Sequence, residues 1–306
     1  MSRIDVVALG EPLYELNRQP DGNWRAGFGG DTLNVAIAAS RLGSTAAYVT
    51  RLGDDIFAAE LRELMQREQV DTSGVGADAG APTGLYFVTH GPEGHVFTYR
   101  SAGSAASRMT PADLDPALIA SARFVHASGI SQAISDSAAA TVAAGFAMAR
   151  RSGAAVSYDT NFRPRLWPVE KARPVVAAAA AVADIVKTSA EDAAALFGLD
   201  RPEDIGRHLL GLGAQAVVIT LGKDGVALVS QDGHQHIPGR QVAAVDATGA
   251  GDAFTGALLA GLARGESLGQ AARLANVAAA LSTLGYGAIA PLPRRDAVMA
   301  ALRAAD

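Results

Sequence analysis

Short apolar runs alternate along the chain with longer stretches whose apolar residues recur at helical spacing. The runs are apolar on both faces, as in strands that helices cover on both sides. They are residues 4–9, 46–50, 124–127, 155–158, 185–188 and 216–221. Helical spacing is found in residues 32–42, 56–68, 135–151 and 170–182. The alternation predicts an α/β fold: a doubly wound, mostly parallel sheet with helices on both faces.

Two segments, about 12–28 and 84–100, break this pattern because polar and apolar residues alternate in them. They contain the turn signals Pro20-Asp21-Gly22 and Gly91-Pro92-Glu93-Gly94, so they are predicted to form hairpins that project as a small β lid. Asp232-Gly233 predicts a further hairpin at an antiparallel edge of the main sheet. With no repeat and no Pro- or Ser-rich linker, residues 1–306 are predicted to form a single domain.

Composition removes several classes of protein. The chain has 306 residues and no cysteine, which excludes disulfides, thiolate nucleophiles and cysteine-based zinc sites. A net charge of −5 argues against nucleic acid as a partner. The first apolar run, residues 4–9, is too short for a signal peptide, and the uncharged run 274–293 is interrupted by polar residues, glycines and prolines. We therefore expect a cytoplasmic protein without a membrane segment.

The strongest local signal for chemistry is Asp246-Ala-Thr-Gly-Ala-Gly-Asp252, which is predicted to open a helix. The small residues Gly249, Ala250 and Gly251 let backbone amides approach an anion, and the helix start adds partial positive charge. Asp252 lies in the first turn, where its carboxylate would accept a proton from an attacking hydroxyl during phosphoryl transfer. Taken alone, the segment fits an ordinary capped and closely packed helix start as well.

Other phosphate-binding motifs are not supported. A Walker A motif needs Ser or Thr after Gly-Lys, whereas Gly222-Lys223 is followed by Asp224. No G-x-G-x-x-G segment follows a predicted strand, which argues against a dinucleotide site or a protein-kinase loop. A nucleotide must be bound in another way.

The order of motifs along the chain resembles that of the ribokinase-like (pfkB) carbohydrate kinases nearly from end to end. The motifs are Leu9-Gly10-Glu11, Gly29-Gly30-Asp31-Thr32-Leu33-Asn34, Arg41-Leu42-Gly43, Gly53-Asp54-Asp55, Thr220-Leu221-Gly222-Lys223-Asp224-Gly225 and Asp246–Asp252. The resemblance implies an ATP-dependent kinase in which Asp252 is the catalytic base and residues 249–251 are the anion hole. It also implies a homodimer that pairs through the lid.

The resemblance further implies positions for the nucleotide. Thr220, Gly222 and Gly225 would lie in the nucleotide-binding loop. Ser189 would bind ATP from the neighbouring strand end, and Asn276 would lie at the adenine pocket.

Mg²⁺ is the metal cofactor that the resemblance implies. The family's N-x-x-E element appears here as Ser189-Ala-Glu191-Asp192, so Asp192 would hold the ion through water with a shorter side chain than glutamate. Asp246 and Thr248 match positions that bind a monovalent cation such as K⁺ in relatives.

Within the family the chain is most similar to the 2-keto-3-deoxygluconate kinases. The similarity rests on Asp159-Thr-Asn161-Phe-Arg163-Pro164-Arg-Leu166-Trp167 and on Tyr99-Arg100-Ser-Ala-Gly-Ser-Ala. That substrate carries a carboxylate, to which Arg100 from the lid and Arg163 from the core would donate charge-assisted hydrogen bonds. The hydroxyl groups of the sugar acid would be met by the remaining predicted contacts, Gly30, Asn34, Tyr86 and Tyr99.

Two other functions stay open at this point. A fructokinase, ribokinase or nucleoside kinase of the same family would act on a substrate without a carboxylate. A protein that binds a sugar acid or a nucleotide without catalysis would be a sensor, although the intact Gly-Ala-Gly-Asp segment argues against it.

Overall fold

The computed structural model describes residues 3–91 and 94–304. Its main sheet has nine strands in the order β13-β12-β11-β10-β9-β8-β1-β4-β5. From β11 to β5 all neighbours are parallel, and β12 and β13 form an antiparallel edge. The strands are β1 Ile4–Leu9, β4 Ala46–Leu52, β5 Val70–Ala77, β8 Ala122–Ser128, β9 Ala155–Asp159, β10 Ile185–Ser189, β11 Ala216–Thr220, β12 Gly225–Ser230 and β13 Gly233–Pro238.

Eleven α-helices occur in the described part of the chain. They are α1 Asp31–Arg41, α2 Ile56–Arg67, α3 Pro116–Ser121, α4 Gly129–Ala133, α5 Asp136–Ser152, α6 Val169–Ala180, α7 Ala190–Phe197, α8 Pro202–Leu212, α9 Ala250–Ala263, α10 Leu268–Ser282 and α11 Arg295–Arg303. Successive residues of β1 enter different cores: Val6 packs with Phe254 of α9, while Val7 packs with Phe146 of α5. Both faces of the sheet are therefore covered by helices, as the apolar runs predict.

A second sheet of four strands, in the order β3-β2-β6-β7, forms the lid. Its strands are β2 Leu13–Arg18, β3 Trp24–Gly29, β6 Leu85–Gly91 and β7 Gly94–Arg100. Each predicted hairpin is antiparallel, and the two hairpins join through a parallel pairing of β2 with β6. The predicted turn at Pro92 and Glu93 lies outside the described residues. The fold class and the lid are thus confirmed.

One strand was not predicted. In β5 only Val70 is buried, and the rest of the strand contains Asp, Thr, Ser and two glycines. Such a sequence has neither an apolar run nor a regular alternation. The strand forms because it pairs with the edge of β4. Among residues 3–91 and 94–304, no helix has the length and apolar character needed to cross a lipid bilayer.

Helices α9 and α1 approach each other closely at Gly256. A Cβ atom on Gly256 would lie 2.6 Å from Ala38 Cβ and 2.6 Å from the carbonyl oxygen of Val35. Gly256→Ala is therefore expected to push the helices apart and to lower the free energy of unfolding by about 1–3 kcal/mol in urea titrations. Gly211→Ala is the matched control, because its Cβ would meet open space in the last turn of α8. Equal stability of the two variants would contradict this account of the contact.

Candidate active site

A cavity of about 1060 Å³ lies between the carboxyl ends of the parallel strands and the lid. The strand ends contribute Ser189 and Thr220, and the lid contributes Tyr86, Phe97 and Tyr99. Open α/β sheets bind ligands at this edge, because the loops that follow the strands meet there. Of the residues that the sequence nominated, the following line the cavity: Gly30, Asn34, Tyr86, Tyr99, Arg163, Ser189, Asp192, Thr220, Gly222, Gly225, Asp246, Thr248, Gly249, Ala250, Gly251, Asp252 and Asn276.

The glycine-rich segment forms the start of α9 on the cavity wall. Gly249 adopts a left-handed φ of 75° as the N-cap residue, and no side chain caps the helix. The first-turn amides of a helix have no carbonyl partner within it, so they remain available to a ligand. A Cβ on Gly251 would meet one neighbour, the Lys187 Nζ atom at 3.0 Å. The segment therefore combines helix-end amides with a buried ammonium group directly beside them.

Asp252 lies in the first turn of α9 with its carboxylate held in place. Its Oδ2 accepts a hydrogen bond of 2.7 Å from Asn34 Nδ2. Desolvation raises the pKa of Asp252 to about 7, and the nearby Asp31 carboxylate adds to the rise. The Asn34 amide and the Lys187 ammonium act in the opposite direction on the same pKa. A carboxyl group with a pKa near neutrality suits a general base.

Asn34 has an acceptor atom that faces no protein donor. Within the described residues, Asn34 Oδ1 is one of two buried side-chain polar atoms without a hydrogen-bond partner. Buried polar atoms normally find a partner, so such an atom at a cavity wall points to a ligand donor. A substrate hydroxyl would supply that donor, which agrees with the predicted role of Asn34.

A buried ion pair lies beneath the helix start. Lys187 Nζ donates to Asp159 Oδ2 at 2.9 Å, and both side chains are almost fully buried. Burial alone would lower the pKa of Lys187, but the carboxylate of Asp159, together with those of Asp252 and Asp192, raises that pKa above its ordinary value. The Lys187 side chain is therefore a fixed positive charge in the cavity floor.

Asn161 connects the ion pair to the opposite wall. Its backbone N–H donates to Asp159 Oδ1 at 3.1 Å, and its Nδ2 donates to Asp31 Oδ2 at 2.9 Å. Its φ of 34° lies in the left-handed region, which non-glycine residues seldom adopt. Strained backbone that is held by its surroundings is common at functional sites. Asn161 and Asp31 both line the cavity.

The lid presents aromatic residues to the cavity. Tyr86 and Tyr99 are directly opposed in the β6–β7 pairing, with ring centroids 6.1 Å apart. The Tyr86 hydroxyl donates to the Glu15 carboxylate on β2. Both tyrosines therefore lie where the sequence predicted substrate contacts.

Arg100 is the one nominated residue that does not line the cavity. Successive side chains of a strand point to opposite faces. Because Tyr99 faces the cavity, the neighbouring Arg100 is exposed on the far side of the lid. The structure therefore does not place Arg100 among the residues that line the cavity, and its contact with the substrate stays a prediction. A different arginine, Arg165, lines the cavity instead, and its guanidinium donates to the carbonyl oxygen of Phe97 on β7 at 3.0 Å.

The residues predicted to bind the nucleotide surround the other half of the cavity. Gly222 and Gly225 have φ values of 58° and 102°, and a Cβ on Gly225 would collide with the Ile237 carbonyl oxygen. Asn276 Nδ2 donates to the carbonyl oxygen of Pro238 at 2.6 Å. The Thr220 hydroxyl donates back to the end of β10, at 3.3 Å from the Thr188 carbonyl oxygen. These contacts hold the loop after β11 in a tight turn beside the cavity.

Asp192 is suited to a magnesium ion. Its Oδ2 accepts hydrogen bonds of 3.0 Å from the Thr160 hydroxyl and from the Phe162 N–H. Asp192 lies in the first turn of α7, and the Ser189 hydroxyl caps this helix by accepting a hydrogen bond of 3.0 Å from the Asp192 N–H. The anchored carboxylate is an oxygen donor of the type that Mg²⁺ takes in kinases, together with water and substrate phosphates.

Asp246 and Thr248 form a tight turn before α9. Asp246 Oδ1 accepts from the Thr248 N–H at 2.9 Å and from the Thr248 hydroxyl at 2.7 Å. Its Oδ2 accepts from the Gly287 N–H at 2.9 Å. These bonds fix the chain that leads into the helix start. A monovalent cation at this turn stays a prediction.

Several residues that line the cavity were not nominated. Lys187 is the charged residue of the buried strand β10. A charge in such a strand is a signal for a site, but a structural lysine in the core would give the same signal. Asp31 and Asn161 lie inside motifs already recognised, between residues that were chosen. Glu11 is buried at the entrance to the lid, where desolvation raises its pKa to about 7 and the Ser104 hydroxyl donates to it. Arg165 stands two residues after the nominated Arg163.

The cavity combines the uncapped start of α9, a carboxylate with a pKa near 7 and a covering lid. These are features that phosphoryl transfer to a small molecule requires. Comparison with known proteins agrees. A model of the pfkB family carbohydrate kinases matches residues 3–295. The 2-dehydro-3-deoxygluconokinase of Thermoproteus tenax is 39% identical over 290 residues, which cover 91% of this chain and 88% of that protein. Fructokinase-1 of Zea mays is 37% identical over 281 residues, 89% of this chain and 87% of that protein.

A solved structure supports the same assignment. The crystal structure of fructokinase from Vibrio cholerae O395, in its fructose-, ADP- and calcium-bound form, has a TM-score of 0.87 and 30% sequence identity, with 98% of each chain covered. The protein therefore belongs to the pfkB family of carbohydrate kinases, and its fold is the ribokinase-like fold of that family.

Proposed function

We propose that the protein phosphorylates 2-keto-3-deoxy-D-gluconate with ATP and yields the 6-phosphate. The observation that carries this proposal is the polarity of the cavity. Asp252 and Asp31 line its floor, whereas Arg163 lies on the segment that faces the lid. A sugar acid has a matching polarity, with a terminal hydroxyl at one end and a carboxylate at the other. The 2-dehydro-3-deoxygluconokinase of Thermoproteus tenax, at 39% identity, gives independent support.

The proposed reaction assigns a task to each group. The terminal hydroxyl lies against Asp252, and its oxygen forms a bond to the γ-phosphorus of ATP. The bond from that phosphorus to the β–γ bridging oxygen breaks, and its electron pair leaves with ADP. The hydroxyl proton passes to Asp252. The amides of Gly249, Ala250 and Gly251 hold the transferring group, so that catalysis is mainly positioning and charge neutralisation.

ATP and a divalent metal are the proposed cofactors. Asp192 would hold Mg²⁺ through water, and the ion would neutralise charge on the phosphate oxygens. Ser189, Thr220 and Asn276 would contact the nucleotide. We further propose that K⁺ binds beside Asp246 and that the chain is a single domain with a β lid. A homodimer through the lid and a cytoplasmic location are also proposed.

Fructokinase is the second candidate function. Its support is the similarity to the enzymes of Zea mays and Vibrio cholerae, at 37% and 30% identity. Of the two arginines assigned to the carboxylate, Arg163 lines the cavity, whereas Arg100 is exposed and does not. The two functions differ in one testable respect, since fructose is neutral and the keto-deoxy acid is an anion.

The test is ADP release with ATP and Mg²⁺ on a panel of acceptors. The panel holds 2-keto-3-deoxygluconate, its galactonate epimer, fructose, ribose and adenosine, with Asp252→Asn as the blank. We expect turnover confined to the two keto-deoxy acids. A clear preference for fructose would contradict the proposal and indicate that the protein is a fructokinase. Binding of a sugar acid without any ADP release would indicate a sensor.

A further inference from the structure

The structure brings one unassigned cation to the mouth of the substrate half of the cavity. Arg165 lines the cavity beside Arg163, and both are exposed. The third cation of the wall, Lys187, is buried and paired with Asp159. A negatively charged substrate group that enters under the lid therefore meets the two arginines first.

Tyr99 is influenced by charges from both parts of the cavity, the arginines at the mouth and the carboxylates at the floor. Burial raises the pKa of Tyr99, the Arg163 and Arg165 guanidiniums lower it, and the carboxylates of Asp31 and Asp252 raise it. Both arginines are therefore near the lid tyrosine, and the two carboxylates are near enough to oppose them. The two arginines would attract a substrate carboxylate at the mouth, while Asp252 would accept a hydroxyl at the floor.

The position of Arg165 depends on the lid. Its guanidinium donates to the Phe97 carbonyl oxygen at 3.0 Å. A guanidinium has five N–H donors in a planar fork, so this bond leaves donors for a carboxylate. Arg100 is on the opposite face of the same lid strand and points away from the cavity.

We propose that Arg165 is a specificity-determining residue that binds the substrate carboxylate together with Arg163. This inference rests on the proposed function, because it requires a substrate that is an acid. Arg165 takes the place that the sequence assigned to Arg100. The Arg165 guanidinium also donates to the Phe97 carbonyl oxygen on β7. A substrate bound by Arg165 would therefore be held while the lid is in contact with the core.

The test compares four arginine variants with wild type on 2-keto-3-deoxygluconate. We expect Arg165→Gln to raise KM about ten- to hundredfold, as the loss of a charged hydrogen bond predicts, with kcat changed by less than a factor of about three. Arg165→Lys should recover part of the loss, because the charge is kept and the fork is not. Arg100→Gln is expected to resemble Arg151→Gln, a control that removes the same charge from the exposed last turn of α5.

A second measurement separates binding from folding. The Kd of 2-keto-3-deoxygluconate without ATP, measured by calorimetry, should rise in Arg165→Gln by the same factor as KM. The midpoint of thermal unfolding should equal that of wild type. If wild type phosphorylates the acid and Arg165→Gln matches Arg151→Gln, the role of Arg165 is refuted and the proposed function stands. If wild type phosphorylates fructose and no keto-deoxy acid, the proposed function itself fails and this inference fails with it.

Discussion

Replacing Asp252 by asparagine is expected to lower kcat by a factor of about 10²–10⁴, while both substrates still bind. The amide has the size of the carboxylate and keeps an oxygen that can accept the 2.7 Å hydrogen bond from Asn34. It cannot take up the proton of the attacking hydroxyl. The helix start and its amides remain, so binding should persist. Steady-state kinetics with the best acceptor, together with calorimetric Kd values, measure the two effects separately.

The pH profile gives this variant an internal control. Only the ionised carboxylate accepts a proton, and the pKa of Asp252 is about 7. Wild-type turnover should therefore fall about tenfold per pH unit below that value, whereas the residual activity of Asp252→Asn should not follow this limb. A raised pKa also means that the folded state loses stability as the pH rises from 3.8, the ordinary pKa of the group, to about 7, and the full cost of the ionised Asp252 is present above that value. At pH 8 the variant should thus melt no lower than wild type. Near-wild-type turnover would refute the assignment of the base.

Local patterns carry most of the fold. The strands β1, β8, β9, β10 and β11 are short apolar runs, and their burial on both faces is what those runs encode. For the four helices whose bounds were predicted, α1, α2, α5 and α6, the observed ends lie only a residue or two from the predicted ones. Strand β5 escapes this reasoning because its polar and glycine residues are ordered by pairing with β4, which is a contact distant in sequence. Its existence depends on a neighbour rather than on its own pattern.

The site likewise has features that a local segment predicts and features that depend on contacts between distant parts of the chain. The helix start at residues 249–252 follows from small residues and a first-turn carboxylate, all within one segment. The choice between Arg100 and Arg165 depends on which face of β7 meets the cavity, and a shift of one residue in a strand reverses every side chain. The motif shows that an arginine follows Tyr99, but it does not show on which face of β7 the side chain of that arginine lies. The Lys187–Asp159 pair joins two strands that are 28 residues apart, so sequence spacing does not reveal it.

The largest effect outside the helix start is expected for Lys187→Met. The side chain keeps its length and loses its charge, which lies beside Gly251 and attracts the Asp252 carboxylate. Loss of a preorganised charge at the transferring phosphoryl group should lower kcat by about 10²–10³. The pKa of Asp252 should rise, so that the acid limb of the pH profile moves to higher pH. The variant also leaves Asp159 buried without its partner, which destabilises by about 3–5 kcal/mol.

The double variant Lys187→Met/Asp159→Asn separates these causes. It removes both charges of the pair, so no buried carboxylate is left unpaired, and the asparagine can keep the Asn161 N–H bond at Oδ1. Urea unfolding should show that most of the lost stability returns. The acid limb should move back towards its wild-type position, because Asp159 raises the pKa of Asp252 while Lys187 lowers it. If the Lys187 ammonium acts on the phosphoryl group, kcat of the double variant should stay low. Recovery of kcat would instead show that Lys187 serves only to neutralise the buried Asp159 carboxylate.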